Sequence, residues 1–522
     1  MERDTQKIQC DRKNSQYLNE TLSYKVLKEL SLLGVKHYCL CPGGRNTCFI
    51  DLISGEFDCH TYLHYDERSA GFFALGKIMA THEPCAVVVT SGTAVGELLP
   101  SVMEAYYSRL PLIIISADRP KRFRGSGAPQ TAEQQNIFGL YTPHCEDLEA
   151  ESLLKLNEWD AMTPCHLNLC FEEAYETDYS RFPDIQPGQF IQRTLKQDNQ
   201  EMIDQFFDHV EHPLVIVGAL SQVEAEIVKP FLLNLEAPCI LEGHSRLRND
   251  PDLQIHRLDN PDGILKKESF DGILRLGGVP TTKLWRDTEY LQDRIRLLSV
   301  SQKPFTGSSW GSLIHTDLSF LSLSTLSKKR ILPKNGFCEY IQSLFNQYPR
   351  AEASVIFKIS TLIPDHARIF LGNSLPIREW DLFSTTNPGL HDVFSVRGLN
   401  GIDGQISTFF GLLHPDKHTI GIIGDLTALY DMSAPFVLKN CAGQFTLFII
   451  NNGGGKIFQK LFKNPMIQNC HSLGFQHWAK MFDLSYRLVD SSDLDQRLLN
   501  YNVVEVIPCE DESLKFNRDL LK

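Results

Sequence analysis

The chain has 522 residues, of which 42% are hydrophobic and 22% charged, and its formal net charge is −13. This is ordinary globular composition, and the length predicts about three domains of roughly 150–200 residues each. No apolar stretch reaches the ~20 residues of a membrane span, and the N-terminus lacks the apolar core of a signal peptide. The fourteen cysteines form no Cys-x-x-Cys pair, which favours reduced core thiols. We expect a cytoplasmic protein with no membrane span and, because of its acidic charge, no nucleic-acid partner.

Helix and strand patterns alternate along residues 21–185, after a polar extension at residues 1–20 that we expect to be frayed. The predicted strands end in polar or Gly-rich turns, and most are followed by a helix. These strands are residues 35–40, 61–64, 85–90, 111–116 and 166–170. The pattern predicts one doubly wound parallel-sheet domain.

Two further α/β segments follow a polar linker at about residues 184–199. The second segment, residues 200–330, contains predicted strands at 213–217 and 272–276. Residues 301–335 are rich in Ser, Thr and Lys and are predicted to be a loop and domain boundary. The third segment, residues 336–522, contains predicted strands at 367–371, 418–423 and 445–450. The predicted fold class is therefore α/β with three doubly wound parallel-sheet domains, of which the first and third follow a similar plan.

Polar side chains end two successive apolar runs of the third segment. Gly424-Asp425 ends the first run, and Asn451-Asn452, followed by three glycines, ends the second. Both runs belong to one βαβ unit, so their ends should lie at the carboxyl edge of the sheet, where ligands bind. A carboxylate, a side-chain amide and a backbone carbonyl near Gly454 would suit Mg²⁺ bridged to phosphate oxygens. The alternative is that both side chains only cap helices.

These residues resemble the diphosphate-binding signature of thiamine-diphosphate enzymes, although the family's Gly-Asp-Gly triplet is Gly-Asp-Leu here, with Leu426. In that superfamily a first α/β domain binds the aminopyrimidine, a middle domain is largely structural, and a third binds the diphosphate. Further motifs that carry the resemblance are Gly372-Asn373-Ser374-Leu375, Arg397-Gly398, Gly401-Ile402-Asp403-Gly404 and Ile457-Phe458. Over about residues 20 to 490 the chain is similar to one family in particular, the 2-succinyl-5-enolpyruvyl-6-hydroxy-3-cyclohexene-1-carboxylate synthases of menaquinone biosynthesis.

The resemblance implies a transferase that uses thiamine diphosphate and Mg²⁺, with Mn²⁺ as an alternative metal. It implies decarboxylation of 2-oxoglutarate and conjugate addition of the succinyl carbanion equivalent to isochorismate. It also implies a homodimer or homotetramer, because in this superfamily the first domain of one chain and the third of another complete each site. Two alternatives stay open: another thiamine-diphosphate 2-oxoacid decarboxylase or carboligase, and a scaffold that has kept the fold and lost the chemistry.

Glu67 stands in the sequence Asp66-Glu67-Arg68, which resembles the segment of the catalytic glutamate in this superfamily. A carboxylate there shares a proton with N1′ of the pyrimidine, so that the 4′-amino group can take the proton of thiazolium C2. From the residues alone, an acidic helix N-terminus is an equally good explanation. The resemblance assigns cofactor binding to Glu67, Ser374, Gly401, Ile402, Gly424, Asp425, Leu426, Asn452 and Ile457, and metal binding to Asp425, Asn452 and Gly454.

Several arginines follow strand ends or Gly-containing turns, and guanidinium groups pair bidentately with carboxylates such as those of 2-oxoglutarate and isochorismate. The predicted substrate-binding residues are Arg45, Arg119, Gln130, Lys283, Ser374, Arg378, Arg397, Ile457, Phe458 and Leu461. Three positions depart from the family pattern. Pro129 replaces an asparagine, Gly44 replaces a serine, and Leu284 replaces a basic residue whose place we expect Lys283 to take.

Overall fold

The computed structural model describes residues 2–55, 57–173, 176–191, 200–258, 270–281, 284–320, 337–386, 392–459, 462 and 464–521. The strands are β1 His37–Leu40, β2 His60–Leu63, β3 Cys85–Val89, β4 Leu112–Asp118, β5 His144–Leu148, β6 Cys165–Cys170, β7 Pro213–Val217, β8 Cys239–Leu241, β9 Gly272–Leu276, β10 Arg296–Ser301, β11 Ser312–His315, β12 Arg368–Leu371, β13 Asp392–Phe394, β14 Thr419–Gly424, β15 Phe445–Ile450, β16 Tyr486–Asp490 and β17 Val503–Ile507. The helices are α1 Glu2–Leu32, α2 Thr47–Ser54, α3 Glu67–Thr81, α4 Thr93–Gly96, α5 Leu99–Ser108, α6 Gln200–Asp208, α7 Gln222–Leu235, α8 Leu284–Asp287, α9 Phe337–Gln347, α10 Glu352–Leu362, α11 Leu375–Phe383, α12 Gln405–Gly411, α13 Asp425–Tyr430, α14 Gln476–Met481 and α15 Glu510–Leu520.

The strands form three parallel sheets. Their strand orders are β2-β1-β3-β4-β6-β5, β11-β10-β9-β7-β8 and β13-β12-β14-β15-β17-β16. The central strands are continuous apolar runs, such as the fully buried β15, because both faces of a parallel sheet are covered. The predicted α/β class with three parallel sheets is confirmed.

The first and third sheets share one topology. In each, the second strand joins one side of the first strand, and the third strand then joins the other side. This reversal creates a switch point between the first and third strands, where ligands bind in open α/β folds. In the third sheet the switch point lies between β12 and β14, which pair in parallel from Arg368 to Leu371. The residues directly after these two strands therefore lie at the expected ligand edge.

The structure differs from the sequence predictions in its strands and at its N-terminus. Seven strands are not among those predicted: β5, β8, β10, β11, β13, β16 and β17. Of these, β11 lies inside the predicted loop at residues 301–335, and β5 and β11 are polar edge strands without an apolar run. The N-terminal residues predicted to be frayed belong to α1. There the buried Asn19 donates to the carbonyl of Glu173 at 3.1 Å, and the buried Glu20 accepts from the amide of Asp178 at 2.6 Å. Buried polar partners of this kind leave no apolar signal in the sequence.

Neither membrane spans nor disulfide bonds occur in the described part of the chain. None of its helices is both long and apolar enough to cross a membrane. None of the thirteen cysteines whose side chains are described forms a disulfide bond, and most are buried, as predicted. Cys338 and Cys470 are exposed instead, so the prediction of core thiols is wrong for these two.

The chain divides into two compact units. The first comprises residues 1–193, 403–413 and 431–442, and the second comprises residues 194–402, 414–430 and 443–522. In the first unit α3 and α12 pack backbone to backbone: a Cβ atom on Gly76 would lie 2.1 Å from the carbonyl oxygen of Thr408, and one on Gly411 would lie 2.3 Å from that of Phe73. Only glycine permits this approach. The packing fixes α3, the helix that begins with Glu67.

Candidate functional site

Asp425 and Asn452 follow the neighbouring parallel strands β14 and β15. Asp425 is buried at the start of α13. Its Oδ2 accepts from the amides of Gly453 at 2.8 Å and Gly454 at 3.0 Å, and its Oδ1 accepts from the amide of Leu426 at 2.6 Å. Burial raises the pKa of the Asp425 carboxyl, while these hydrogen bonds oppose the shift. One carboxylate thus ties together the ends of two strands.

The side-chain amide of Asn452 is paired on one side only. Its Nδ2 donates to the carboxylate of Glu352, at 2.9 Å to Oε2 and 3.2 Å to Oε1. Its Oδ1 is buried and accepts no hydrogen bond from the described residues. A buried acceptor without a partner costs about 1–3 kcal/mol. An oxygen held in this way is available to a ligand.

Glycines shape the backbone around these two side chains. Gly454 has φ +138°, and a Cβ atom there would lie 2.6 Å from the carbonyl oxygen of Gln468. A Cβ atom on Gly424 would meet nothing nearer than Oγ1 of Thr427 at 3.9 Å, so the space beside Gly424 is open. The carbonyl of Gly454 accepts from the amide of Lys456 at 2.9 Å, which leaves its second lone pair for another ligand.

This donor set fits Mg²⁺ bridged to a diphosphate. Within the described ranges, no three or more His, Cys, Asp or Glu side chains are grouped so that they could hold a metal by themselves. Asp425 and Asn452 instead offer one carboxylate and one amide oxygen, and Gly454 adds a backbone carbonyl. Mg²⁺ is commonly held by one or two carboxylates together with phosphate oxygens and water. We call Asp425, Asn452 and Gly454 the metal clamp.

Two residues that the sequence did not single out support the metal clamp. Glu352, at the start of α10, is buried, and burial raises the pKa of its carboxyl to about 7 against the hydrogen bond from Asn452. His471 places Nε2 3.4 Å from Oδ2 of Asp425. Such neighbours orient metal ligands. Glu352 lies 100 residues before Asn452 in the sequence, so no local motif could have linked them.

Replacing Glu352 tests whether its carboxylate aims the amide of Asn452. We expect Glu352→Leu to weaken Mg²⁺-dependent binding of thiamine diphosphate about 10- to 100-fold, because Nδ2 loses its acceptor and Oδ1 its fixed direction. Glu352→Gln is the matched control: it keeps an acceptor oxygen and should bind within a few-fold of the unmodified protein. Isothermal titration calorimetry with and without Mg²⁺ measures both. Undiminished binding by a folded Glu352→Leu variant contradicts this role.

Asn373 joins four of the predicted residues at the end of β12. Its Nδ2 donates to the carbonyl of Gly401 at 2.7 Å, and its Oδ1 accepts from Nη1 of Arg397 at 3.0 Å. Arg378 donates to the carbonyl of Ser374, the next residue after Asn373, at 2.6 Å. Ser374, Arg378, Arg397 and Gly401 therefore lie around one buried amide, and Ile402 follows directly. Asn373 lies in the motif Gly372-Asn373-Ser374-Leu375 that carries the family resemblance, but no role was predicted for it.

The backbone of Ser374 is strained. Its φ of +76° and ψ of −126° are unfavourable for a residue with a side chain, and its hydroxyl does not cap α11. Such conformations cost about 1–3 kcal/mol and cluster at functional sites. Ser374 lies at the switch point of the third sheet, and its role in binding remains a prediction.

Asp381 is a buried carboxylate near two of the predicted arginines. It lies one turn after Arg378 on α11, and its Oδ1 accepts from the amide of Gly243 at 2.6 Å. Burial raises the pKa of Asp381 to about 6, whereas the positive charges of Arg248, Arg397 and Arg378 oppose the shift. Asp381 is thus an acidic group close to Arg378 and Arg397. Nothing in its local sequence indicated this position.

Glu67 begins α3 in the first unit. The preceding Asp66 is the N-cap: its carboxylate accepts from the amide of Ser69 at 3.1 Å and from the hydroxyl of Ser433 at 2.5 Å. Burial raises the pKa of the Glu67 carboxyl, and the negative charges of Asp66 and Glu97 add to the shift. A raised pKa makes a carboxyl more ready to share a proton with a bound base.

Arg45 and Arg119 converge on one carboxylate in the first unit. Nη2 of Arg45 lies 3.4 Å, and Nη1 of Arg119 lies 3.5 Å, from Oε1 of Glu173. Arg45 also donates to the carbonyl of Glu172 at 3.1 Å. Arg119 donates twice to the carbonyl of Pro129, from Nε at 3.2 Å and Nη2 at 3.0 Å. The proline that departs from the family pattern therefore anchors Arg119 through its backbone.

Three other predicted substrate-binding residues lie in turns. Gln130 is exposed, with φ +55° in the left-handed region. Phe458 is 42% exposed and Ile457 is half-buried, in a short turn after the glycines that follow β15. Phe458 therefore does not belong to the core.

Two predicted substrate-binding residues, Lys283 and Leu461, lie outside the described residues. The neighbouring Leu284 is fully buried at the start of α8 and packs in an apolar cluster with Ile216 and Phe270 of the second sheet region. The leucine that replaces a basic residue of the family pattern is therefore a core residue.

Part of the chain matches a known family model. Residues 21–137 match the family model described as "Thiamine pyrophosphate enzyme, N-terminal TPP binding domain". With the three parallel sheets, this match defines a thiamine-diphosphate-dependent enzyme.

The chain is also similar over nearly its whole length to proteins named 2-succinyl-5-enolpyruvyl-6-hydroxy-3-cyclohexene-1-carboxylate synthase. The one from Bdellovibrio bacteriovorus is 38% identical over 95% of this chain and 98% of its own length. The one from Akkermansia muciniphila is 32% identical over 94% and 96%, and the one from Bacillus velezensis is 28% identical over 95% and 96%. The chain belongs to this synthase family, which confirms the resemblance seen in its motifs.

Proposed function

We propose that the protein decarboxylates 2-oxoglutarate and adds the succinyl unit to isochorismate, giving 2-succinyl-5-enolpyruvyl-6-hydroxy-3-cyclohexene-1-carboxylate for menaquinone biosynthesis. The observation that carries the proposal is the placement of Arg378 and Arg397 around Asn373, at the same sheet edge as the metal clamp. A site for two dicarboxylates needs such fixed cations, whereas a simple 2-oxoacid decarboxylase needs fewer. The product named for the relatives supports the same choice.

The metal clamp would hold Mg²⁺ and, through it, the diphosphate of the cofactor. Asp425 and Gly454 already face each other across a hydrogen bond of 3.0 Å, and Oδ1 of Asn452 is directed by Glu352. When bound, thiamine diphosphate takes up the electron pair that decarboxylation of a 2-oxoacid leaves behind. The open space at Gly424 lets the backbone approach the cofactor closely.

Glu67 would hold a proton at N1′ of the pyrimidine. Its raised pKa, caused first by burial, makes the carboxyl more ready to hold and share this proton. The N-cap of Asp66 and the glycine-mediated packing of α3 fix where that carboxyl points. Arg378 and Arg397 would orient substrate carboxylates, which leaves the reacting carbon atoms in a defined position.

The proposal assigns a different role to each of three segments of the chain. Residues 21–185 would bind the pyrimidine, residues 200–330 would be a structural middle domain, and residues 336–522 would bind the diphosphate. Glu67 and the metal clamp of one site would come from two copies of the chain, so a homodimer or homotetramer is the expected assembly.

An activity assay tests this proposal. With Mg²⁺, thiamine diphosphate, 2-oxoglutarate and isochorismate, we expect one molecule of carbon dioxide per molecule of adduct, and both should disappear when EDTA removes the metal. Pyruvate in place of 2-oxoglutarate is the matched control, since it lacks the second carboxylate that the arginines would hold. Mass spectrometry identifies the adduct. Carbon dioxide release that isochorismate does not increase would point instead to a plain decarboxylase.

A further inference from the structure

Glu173 occupies the point on which Arg45 and Arg119 converge. We propose that its carboxylate is an internal competitor that holds the place of a substrate carboxylate between these two arginines until the substrate displaces it. The inference rests on the proposed function, because it concerns the dicarboxylate substrates of the same enzyme. It adds a residue that sets substrate affinity and that neither the motifs nor the comparisons assign.

Backbone carbonyls hold both guanidinium groups in place. Arg45 donates from Nη1 to the carbonyl of Glu172 at 3.1 Å, and Arg119 donates from Nε and Nη2 to the carbonyl of Pro129. These contacts leave Nη2 of Arg45 and Nη1 of Arg119 directed at one oxygen, Oε1 of Glu173. The two cations are therefore positioned by the fold and do not depend on Glu173 for their orientation.

The contact with Glu173 is weak enough to be exchanged. The arginine side chains are only 11% and 18% exposed, whereas the Glu173 side chain is 62% exposed. Its distances of 3.4 and 3.5 Å exceed the 2.7–2.9 Å of a strong charge-assisted hydrogen bond. Exposed ion pairs contribute little. A substrate carboxylate could offer one oxygen to each guanidinium group, whereas Glu173 offers the same oxygen to both.

A resident carboxylate at this point has a consequence for selectivity. Two fixed guanidinium groups would attract any small anion, and Glu173 makes each anion compete with a carboxylate tethered to the chain. A ligand that contacts only Arg45 and Arg119 gains little free energy by displacing the Glu173 carboxylate. A dicarboxylate that also reaches other fixed groups retains its advantage.

The substitution Glu173→Gln removes the competing charge and keeps the shape of the side chain. We expect the KM for 2-oxoglutarate, isochorismate or both to fall about two- to fivefold, the range of an exposed ion pair, with kcat unchanged. Glu176→Gln is the control: Glu176 is exposed, lies three residues further on, and forms no ion pair with either arginine among the described residues. If the KM of Glu173→Gln is unchanged or higher for both substrates, the inference is overturned.

A double substitution separates competition from a general effect on folding. If Glu173 acts through the arginines, its replacement should give little or no further gain in a protein that already carries Arg119→Ala. A gain of full size in that background overturns the inference, because Glu173 would then act elsewhere.

Ligand binding keeps this test independent of turnover. Separate calorimetric titrations use glutarate, which has both carboxylates but lacks the keto carbon that reacts, and isochorismate. With the protein loaded with thiamine diphosphate and Mg²⁺, at least one of the two should bind about two- to fivefold more tightly in Glu173→Gln. Absence of isochorismate-dependent carbon dioxide release from the unmodified protein defeats the proposed function. If carbon dioxide release is normal but Glu173→Gln does not bind its ligands more tightly, the proposed function stands and the role of Glu173 as a competitor is refuted.

Discussion

Glu67→Gln is expected to bind thiamine diphosphate and Mg²⁺ normally and to lose about 10²- to 10⁴-fold in kcat, the usual contribution of a positioned acid or base. The reason is local. Glutamine keeps the size and the hydrogen-bonding ability of Glu67 at the start of α3, but it cannot share a proton with N1′ of the pyrimidine. By the proposed function, cofactor affinity would depend on the metal clamp in the other compact unit, so it should change little.

Hydrogen–deuterium exchange at C2 of the bound cofactor, followed by NMR, measures the step that Glu67 is expected to promote. Exchange should be slow in Glu67→Gln, and exchange at the unmodified rate removes Glu67 from this role. Glu97→Gln is the companion variant, because the negative charge of Glu97 helps to raise the pKa of Glu67. Without that charge the pKa of Glu67 should fall, so the acidic limb of the pH–rate profile should move to lower pH while activity at neutral pH is kept.

The sequence predicted those parts of the site that are local in the chain. Asp425 and Asn452 directly follow apolar runs, and consecutive parallel strands bring such ends to one edge. Glu67 stands at a helix start, where backbone amides favour an acidic side chain. Its position could therefore be predicted from the residues alone, but its catalytic role could not. The resemblance to a known family supplied that role as a prediction, and the structure adds the surroundings that make it plausible chemically: burial, the Asp66 cap and a raised pKa.

Contacts between distant segments could not be predicted in this way. Glu352 meets Asn452 across 100 residues, and Glu173 meets Arg45 across 128 residues. Both are polar residues without a pattern around them, and only the packing of the sheets decides what they touch. Edge strands such as β5 could not be predicted for a related reason. A strand that is not buried on both faces needs no apolar run. Long-range polar contacts are thus where structure adds most to the sequence.

Asp425→Ala is expected to have the largest effect on the cofactor itself, because this carboxylate has two tasks. It would be the only charged ligand in the metal clamp, and it already accepts hydrogen bonds from the amides of Gly453 and Gly454, which shape the loop after β15. Removing one partner of a buried charged pair costs about 3–5 kcal/mol. By that measure, Mg²⁺-dependent binding of thiamine diphosphate should weaken roughly 10²- to 10⁴-fold.

Asp425→Asn separates the two tasks. An amide oxygen in the place of Oδ2 can still accept from Gly453 and Gly454. The amide nitrogen in the place of Oδ1 cannot accept from Leu426, and the negative charge that would face the metal is lost. The thermal midpoint of the cofactor-free protein should therefore fall more in Asp425→Ala than in Asp425→Asn, while both variants should bind the cofactor poorly. Calorimetry over a range of Mg²⁺ concentrations, paired with thermal unfolding, measures both quantities. If Asp425→Asn binds thiamine diphosphate as tightly as the unmodified protein at every Mg²⁺ concentration, Asp425 shapes the loop and does not hold the metal.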